Sequence, residues 1–149
     1  MCEKENILIS ACLLGVGCRY DGGNNYISLV EQLKERYHLI PICSEIYGGL
    51  TTPRIPAERV GDKVLNRAGE DVTPQFKRGA NAILKLAEFY DCRCALLKEN
   101  SPSCGYGSIY DGSFSGNRVP GNGMLAELLS EHGIWILGES RVKELLVFQ

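Results

Sequence analysis

At 149 residues the chain is long enough for one domain whose core needs no disulfide or metal staple. A net charge of −2 gives no electrostatic case for nucleic acid or an anionic membrane as the main partner, and no run of about 18 apolar residues suggests a membrane span. Met1-Cys-Glu-Lys-Glu5 lacks the apolar core of a signal peptide, so a cytoplasmic location is expected. In that reducing compartment seven cysteines argue for metal binding, catalysis or burial rather than a disulfide framework.

Ile7 to Ala11 is a short, nearly continuous apolar run, as expected of a strand buried on both faces. Leu29, Val30 and Leu33 among charged neighbours predict a helix over 27–37. The run Leu39-Ile-Pro-Ile42 follows as a second strand, with Pro41 favouring a sheet edge. After a glycine- and proline-rich loop at 48–56, Lys63 to Asn66, Ala68-Gly69 and Glu70 to Val72 suggest a small hairpin. Thr73 before Pro74 reads as a helix cap. That helix should run to about Tyr90 and bury Phe76, Ala80, Ile83, Leu84, Ala87 and Phe89. Cys94 to Lys98 is the third strand and 100–122 a long glycine- and serine-rich loop. A helix over 124–131, a strand over 134–137 and a terminal helix over 140–148 complete the chain. This alternation predicts an α/β fold: three layers, a mostly parallel Rossmann-like sheet of about four strands, and helices on both faces, in one domain over 1–149.

Three cysteines stand where strands run into turns: Cys12, Cys43 and, after the third strand, Cys104. Carboxyl ends of neighbouring parallel strands converge on one crevice, so three thiols distant in sequence can meet in one pocket, as at a metal or cluster site. A structural zinc site draws on closely spaced cysteine knuckles. Cys12 and Cys18 are too widely spaced for one, while His38 and His132 occupy surface or capping positions. Cysteines dispersed over strand ends fit a cluster better, although spacing alone does not separate three ligands from four. Cys92 and Cys94 read as buried thiols and Cys2 as incidental.

Other polar residues crowd the same rim. Glu45, two residues past Cys43, suits a general acid or base if partly buried, or a turn-capping carboxylate. Ser101 and Ser103 flank Pro102 beside Cys104, where they make a turn or bind a carbonyl or phosphate. Arg19, Asp21 and Arg54 lie in glycine-rich loops. Gly121-Asn-Gly123 reads as a turn before a helix N-terminus, a weak signal for an anion site.

Taken together, Ser10-Ala-Cys-Leu-Leu-Gly15, Cys18-Arg-Tyr-Asp-Gly22, Cys43-Ser-Glu-Ile-Tyr-Gly-Gly-Leu50, Pro53-Arg-Ile-Pro-Ala-Glu58, Ser101-Pro-Ser-Cys-Gly105 and Ile109-Tyr-Asp-Gly112 resemble the signature of the TudS-type thiouracil desulfidases over nearly the whole chain. The resemblance implies a small α/β protein in which three cysteines hold an oxygen-sensitive 4Fe–4S cluster with one open iron. It implies removal of sulfur from thiouracil or thiouridine monophosphate, with C=S replaced by C=O and sulfide released. By position the ligands would be Cys12, Cys43 and Cys104. Glu45 and Ser101 would be catalytic, and Ser101, Ser103 and Arg54 would contact the substrate. Cys18 also belongs to the pattern, as a ligand or a nearby support. Where the family more often has Cys-Pro-Glu, this chain has Cys43-Ser44-Glu45.

The expected partner is a small thiolated pyrimidine or its nucleotide, with no nucleic acid and no membrane; a homodimer stays open. The alternative is a cysteine-ligated metal or cluster protein with a sensing or structural role and no catalysis. That reading gives Glu45, Ser101 and an open crevice nothing to do.

Overall fold

The computed structural model describes residues 4–147, so Cys2 and Phe148 lie outside the described residues. In chain order the elements are β1 (Glu5–Ser10), a 3-10 turn (Ala11–Leu14), α1 (Val30–Arg36), β2 (Tyr37–Ile42), the single-turn α2 (Ser44–Tyr47), β3 (Ala57–Val60), β4 (Lys63–Asn66), α3 (Thr73–Phe89), β5 (Cys94–Leu97), β6 (Ser108–Tyr110), β7 (Arg118–Pro120), α4 (Met124–Glu131), β8 (Trp135–Gly138), a second 3-10 turn (Glu139–Arg141) and α5 (Glu144–Val147).

Four strands form one parallel sheet in the order β2-β1-β5-β8. Successive side chains on a strand point to opposite faces, and the burial divides accordingly. Leu8, Ala95, Leu97 and Ile136 pack on one face against Ala80 and Ile83 of α3 and Leu125 and Leu129 of α4. Ile7, Ile9, Leu96 and Leu137 pack on the other against Val30 and Leu33 of α1 and Leu145 of α5. Ile7, Leu8 and Ile9 are completely buried, each contributing about 1.5–3 kcal/mol relative to exposure. This is the three-layer parallel architecture expected. Cys92 and Cys94 fall into opposite layers, one on each face, so they pack separately and form no pair.

Pro41 does lie in an edge strand, β2, where a missing N–H is tolerated. Other expectations need correction. The hairpin is β3 with β4, so Ala57–Val60 supplies a strand that the flanking prolines concealed; the anticipated turn at 66–70 is closed by the bridge between Leu65 and Asp71. Thr73 does not cap α3. Its hydroxyl accepts the Val64 amide at 2.8 Å, fastening the hairpin to the helix, while Asp71 Oδ1 accepts the Thr73 amide at 2.9 Å. Phe89 is largely exposed, stacking edge-on against Tyr90 instead of entering the core. The 100–122 segment holds the antiparallel pair β6–β7. The terminal helix is broken into a 3-10 turn and the short α5.

Two glycines let α2 lie against α3 with backbone touching backbone: a Cβ on Gly79 would fall on the Ser44 carbonyl, and one on Gly48 on the Gln75 carbonyl. Alanine is otherwise the better helix former by about 1 kcal/mol. Gly79→Ala is nonetheless expected to lower stability by about 1–3 kcal/mol, because the rigid carbonyl cannot yield without moving α2. Urea denaturation at constant m-value measures it.

Candidate active site

The direction of chain winding makes the crevice. From β1 the chain passes through α1 to β2 on one side. It then returns through α3, on the opposite face, to β5 on the other side of β1. Ligands bind where strand order reverses in this way. Cys12 stands in the 3-10 turn after β1, Cys43 is the residue between β2 and α2, and Cys104 follows β5. All three border one cavity of about 820 Å³, together with Cys18, Glu45 and Ser101.

The loop carrying Cys104 is held from two directions. Ser101 Oγ accepts the amides of Ser103 and Cys104, both at 3.1 Å, and the Ser101 carbonyl accepts the Gly105 amide at 2.9 Å. The first turn of α4 then docks on it: the Met124 amide donates to Pro102 O at 2.8 Å and the Leu125 amide to Ser103 O at 2.9 Å. Gly123 permits this approach, since a Cβ there would overlap the Ser103 carbonyl. The helix N-terminus that the sequence offered as an anion site is therefore spent on backbone carbonyls. Helix-end donors need some partner, and here the partner is the cysteine loop.

The thiols differ electrically. Cys18 lies against both Cys12 and Cys43, and its hydrogen bond draws the Cys12 thiol down to about 7 against the opposing effect of burial, with Asn25 helping. The same Cys18 contact lowers Cys43, aided by the Ile46 amide and Arg54 and opposed by burial and Glu45. Cys18 itself is raised, held protonated by its two sulfur neighbours and by burial. Burial, with Glu45 nearby, pushes the Cys104 thiol up, and the Ser10 hydroxyl, 3.3 Å from its sulfur, pulls the other way; Ser103 Oγ stands 3.6 Å away. Ser10 was missed by the sequence reading. It accepts the Lys98 amide at 2.9 Å, so its single proton is left for the Cys104 sulfur. A serine inside the otherwise apolar strand end was the available signal.

Glu45 leaves the first turn of α2 half-buried, with Oε1 accepting from Ser103 Oγ at 2.7 Å and Oε2 facing the Cys43 sulfur at 3.6 Å. Ser101 Oγ lies 2.9 Å from Ser103 Oγ. Ser103 is completely buried. Arg54 also borders the cavity, with its guanidinium donating to Cys18 O at 2.8 Å, Thr52 Oγ1 at 3.0 Å and Thr51 O at 3.3 Å. His38 is exposed on β2, and the exposed His132 ring contacts Leu128 O at the end of α4; neither borders the cavity.

An all-sulfur donor set suits iron–sulfur chemistry. Among the described residues no three Cys, His, Asp or Glu side chains are gathered closely enough to grip a single metal ion. A cuboidal cluster asks for something wider, each thiolate on its own iron. Cys12 and Cys43, just after β1 and β2, and Cys104, in the loop after β5, stand around one cavity and suit that demand.

Thiol reactivity follows the thiolate. In metal-free protein Cys12 is expected to alkylate with a midpoint near pH 7, while Cys92 and Cys94, raised by burial to about 11 and 12, stay unmodified through pH 9. Iodoacetamide labelling read by peptide mass spectrometry checks the order; labelling of Cys92 before Cys12 contradicts it.

The sequence profile of the 2-thiouracil desulfurase family matches residues 7–141. Among solved structures the chain is similar to the [4Fe–4S]-dependent thiouracil desulfidase TudS, at 45% identity and a TM-score of 0.92 over 97% of each chain. It is also 37% identical to the uncharacterized protein YbbK of Bacillus subtilis (strain 168), over 94% of this chain and 99% of the relative. The chain belongs to the 2-thiouracil desulfurase family.

Proposed function

We propose that this chain is a [4Fe–4S]-dependent desulfidase that replaces the C=S of a thiolated uracil by C=O and releases sulfide, with Cys12, Cys43 and Cys104 as the cluster's ligands. The observation that carries the reading is the meeting of those three strand-end thiols with the Glu45–Ser103–Ser101 chain around one cavity. Cys18, held protonated between two of the thiols, supports them as a hydrogen-bond donor.

When bound through three cysteines, such a cluster supplies one open iron, a Lewis acid with affinity for a thiocarbonyl sulfur. The protein's own groups supply the rest. Glu45 takes a proton from the water that attacks the ring carbon. Ser101, fixed by two backbone amides and with its own proton given to Ser103, borders the cavity and holds the base in register by packing against it. Water adds its oxygen to carbon and sulfur departs as sulfide, with no net change in electrons.

The cavity falls in the range of pockets for drug-sized ligands and leaves room beyond a single pyrimidine ring. Arg54 and Arg67 border that space, and neither has a carboxylate ion-pair partner among the described residues. A thiolated nucleoside monophosphate, its phosphate facing these guanidiniums, fits better than the free base. No helix among the described residues is long and apolar enough to cross a membrane, and we place the enzyme in the cytoplasm.

Anaerobically reconstituted protein should bind about four irons per chain and convert thiouracil or thiouridine monophosphate with loss of thiocarbonyl absorbance and release of sulfide. Cys12→Ala, Cys43→Ala or Cys104→Ala should each lose the iron. Glu45→Gln should keep it and lose roughly 10²–10⁴ in rate. A full cluster with no turnover on any thiopyrimidine would instead favour a sensing role.

A further inference from the structure

Ser103 is completely buried, yet it joins two residues that open onto the cavity. Its hydroxyl carries one proton and faces three acceptors: Glu45 Oε1 at 2.7 Å, Ser101 Oγ at 2.9 Å and Cys104 Sγ at 3.6 Å. An ionised carboxylate only accepts, and bonds to a charged acceptor are the stronger ones. The Ser103 proton therefore goes to Glu45. That leaves Ser101 as the donor in the Ser101–Ser103 contact, while the Ser101 oxygen accepts the amides of Ser103 and Cys104. The chain has one polarity, running from the backbone through two hydroxyls to Oε1.

The other oxygen of Glu45 is in a different position. Among the described residues Oε2 faces only the Cys43 sulfur, at 3.6 Å, a contact in which the thiol is the donor. A cysteine serving as a cluster ligand has lost that proton, so Oε2 is then the one carboxylate oxygen left without a donor, beside the sulfur of a ligand.

We propose that Ser103 is a positioning residue: it pins Glu45 through Oε1 and thereby presents Oε2 to the reacting water. This rests on the reading of Glu45 as the base. Ser103, completely buried and with its proton committed to Glu45, acts here through that carboxylate. The consequence is a selective effect on turnover. Removing the hydroxyl leaves substrate contacts in place and lets the carboxylate swing away from its working geometry, and small misplacements of reacting groups are costly in rate.

The test uses the reconstituted, cluster-bearing enzyme and thiouridine monophosphate or thiouracil, whichever the parent turns over. Ser103→Ala is expected to lower kcat by about 10- to 100-fold, with KM, substrate Kd and iron content unchanged. Ser103→Thr, which keeps the hydroxyl, should restore most of the rate. In the double variant with Glu45→Gln, the Ser103→Ala change should cost little further, because its effect passes through Glu45. Should Ser103→Ala lose iron or soluble protein, the threonine variant and the cycle of Ser103→Thr with Glu45→Gln decide: a Thr variant as slow as Glu45→Gln with full iron overturns the assignment. Full kcat in Ser103→Ala, or an undiminished Ser103→Ala effect in the double variant, also overturns it. Glu45→Gln at full rate would instead remove the reading of Glu45 as base, a different failure.

Discussion

Everything at the candidate site depends on β1 being flanked on both sides by parallel partners. Six residues of β1 pair with β2, and Leu8 and Ile9 also pair with β5. A strand in that position has both edges consumed and both faces covered, which is why Ile7, Leu8 and Ile9 are fully buried. Parallel pairing has a second effect: all the strands finish at the same edge. Cys12, Cys43 and the loop to Cys104 are thereby delivered to one rim by the backbone, before any side chain interacts. Because β2 and β5 are reached by crossovers on opposite faces, a crevice opens at the rim between their ends.

What the sheet cannot supply is the charge state of the donors. Metal ligands must give up protons, and the three thiols face different costs. Cys12 and Cys43 share a protonated neighbour, Cys18, that stabilises their ionised forms. Cys104 has no such thiol beside it among the described residues and is buried, which opposes ionisation. The Ser10 hydroxyl, whose single proton is left for this sulfur, offsets part of that cost. Ser103 divides its contacts between the Cys104 sulfur and the Glu45 carboxylate, so the groups that would hold the cofactor and those that would move protons form one network. In a low-dielectric interior such networks are strong only when every member is satisfied.

The legible part of this protein was its periodicity. Ile7 to Ala11, Leu39 to Ile42 and Ile134 to Leu137 read as strands because short apolar runs bounded by turn residues have few other uses, and the cysteines placed after the strands followed from that. The missed parts share a physical cause: they depend on contacts between segments distant in sequence. Ala57–Val60 looks like loop beside Pro53 and Pro56 until β4 pairs with it. Thr73 carries every local sign of a helix cap, but the Val64 amide competes successfully for its hydroxyl. The helix start after Gly123 suits an anion in isolation and is taken by the Pro102 and Ser103 carbonyls in the fold. Ser10 looks like an ordinary polar residue until Cys104 is brought beside it, and the Ser103 hydroxyl, expected at the substrate, meets Glu45 only in the fold.

The departure at Ser44 shows how such a fold absorbs change. In place of the proline that the resemblance implies, the serine stands at the first position of α2, completely buried, with its hydroxyl among the few buried polar atoms lacking a partner among the described residues. A proline at a first helical position loses no needed hydrogen bond and presets the backbone; serine forgoes that and carries the cost of an unsatisfied hydroxyl. The turn keeps its shape because its geometry is fixed from outside, by the glycine contacts that press α2 on α3. Its own amides help, since Tyr47 bonds Cys43 O and Gly48 bonds Ser44 O. Glu45 therefore depends on backbone packing for its placement and on Ser103 for its orientation, and the identity of residue 44 affects the first only weakly.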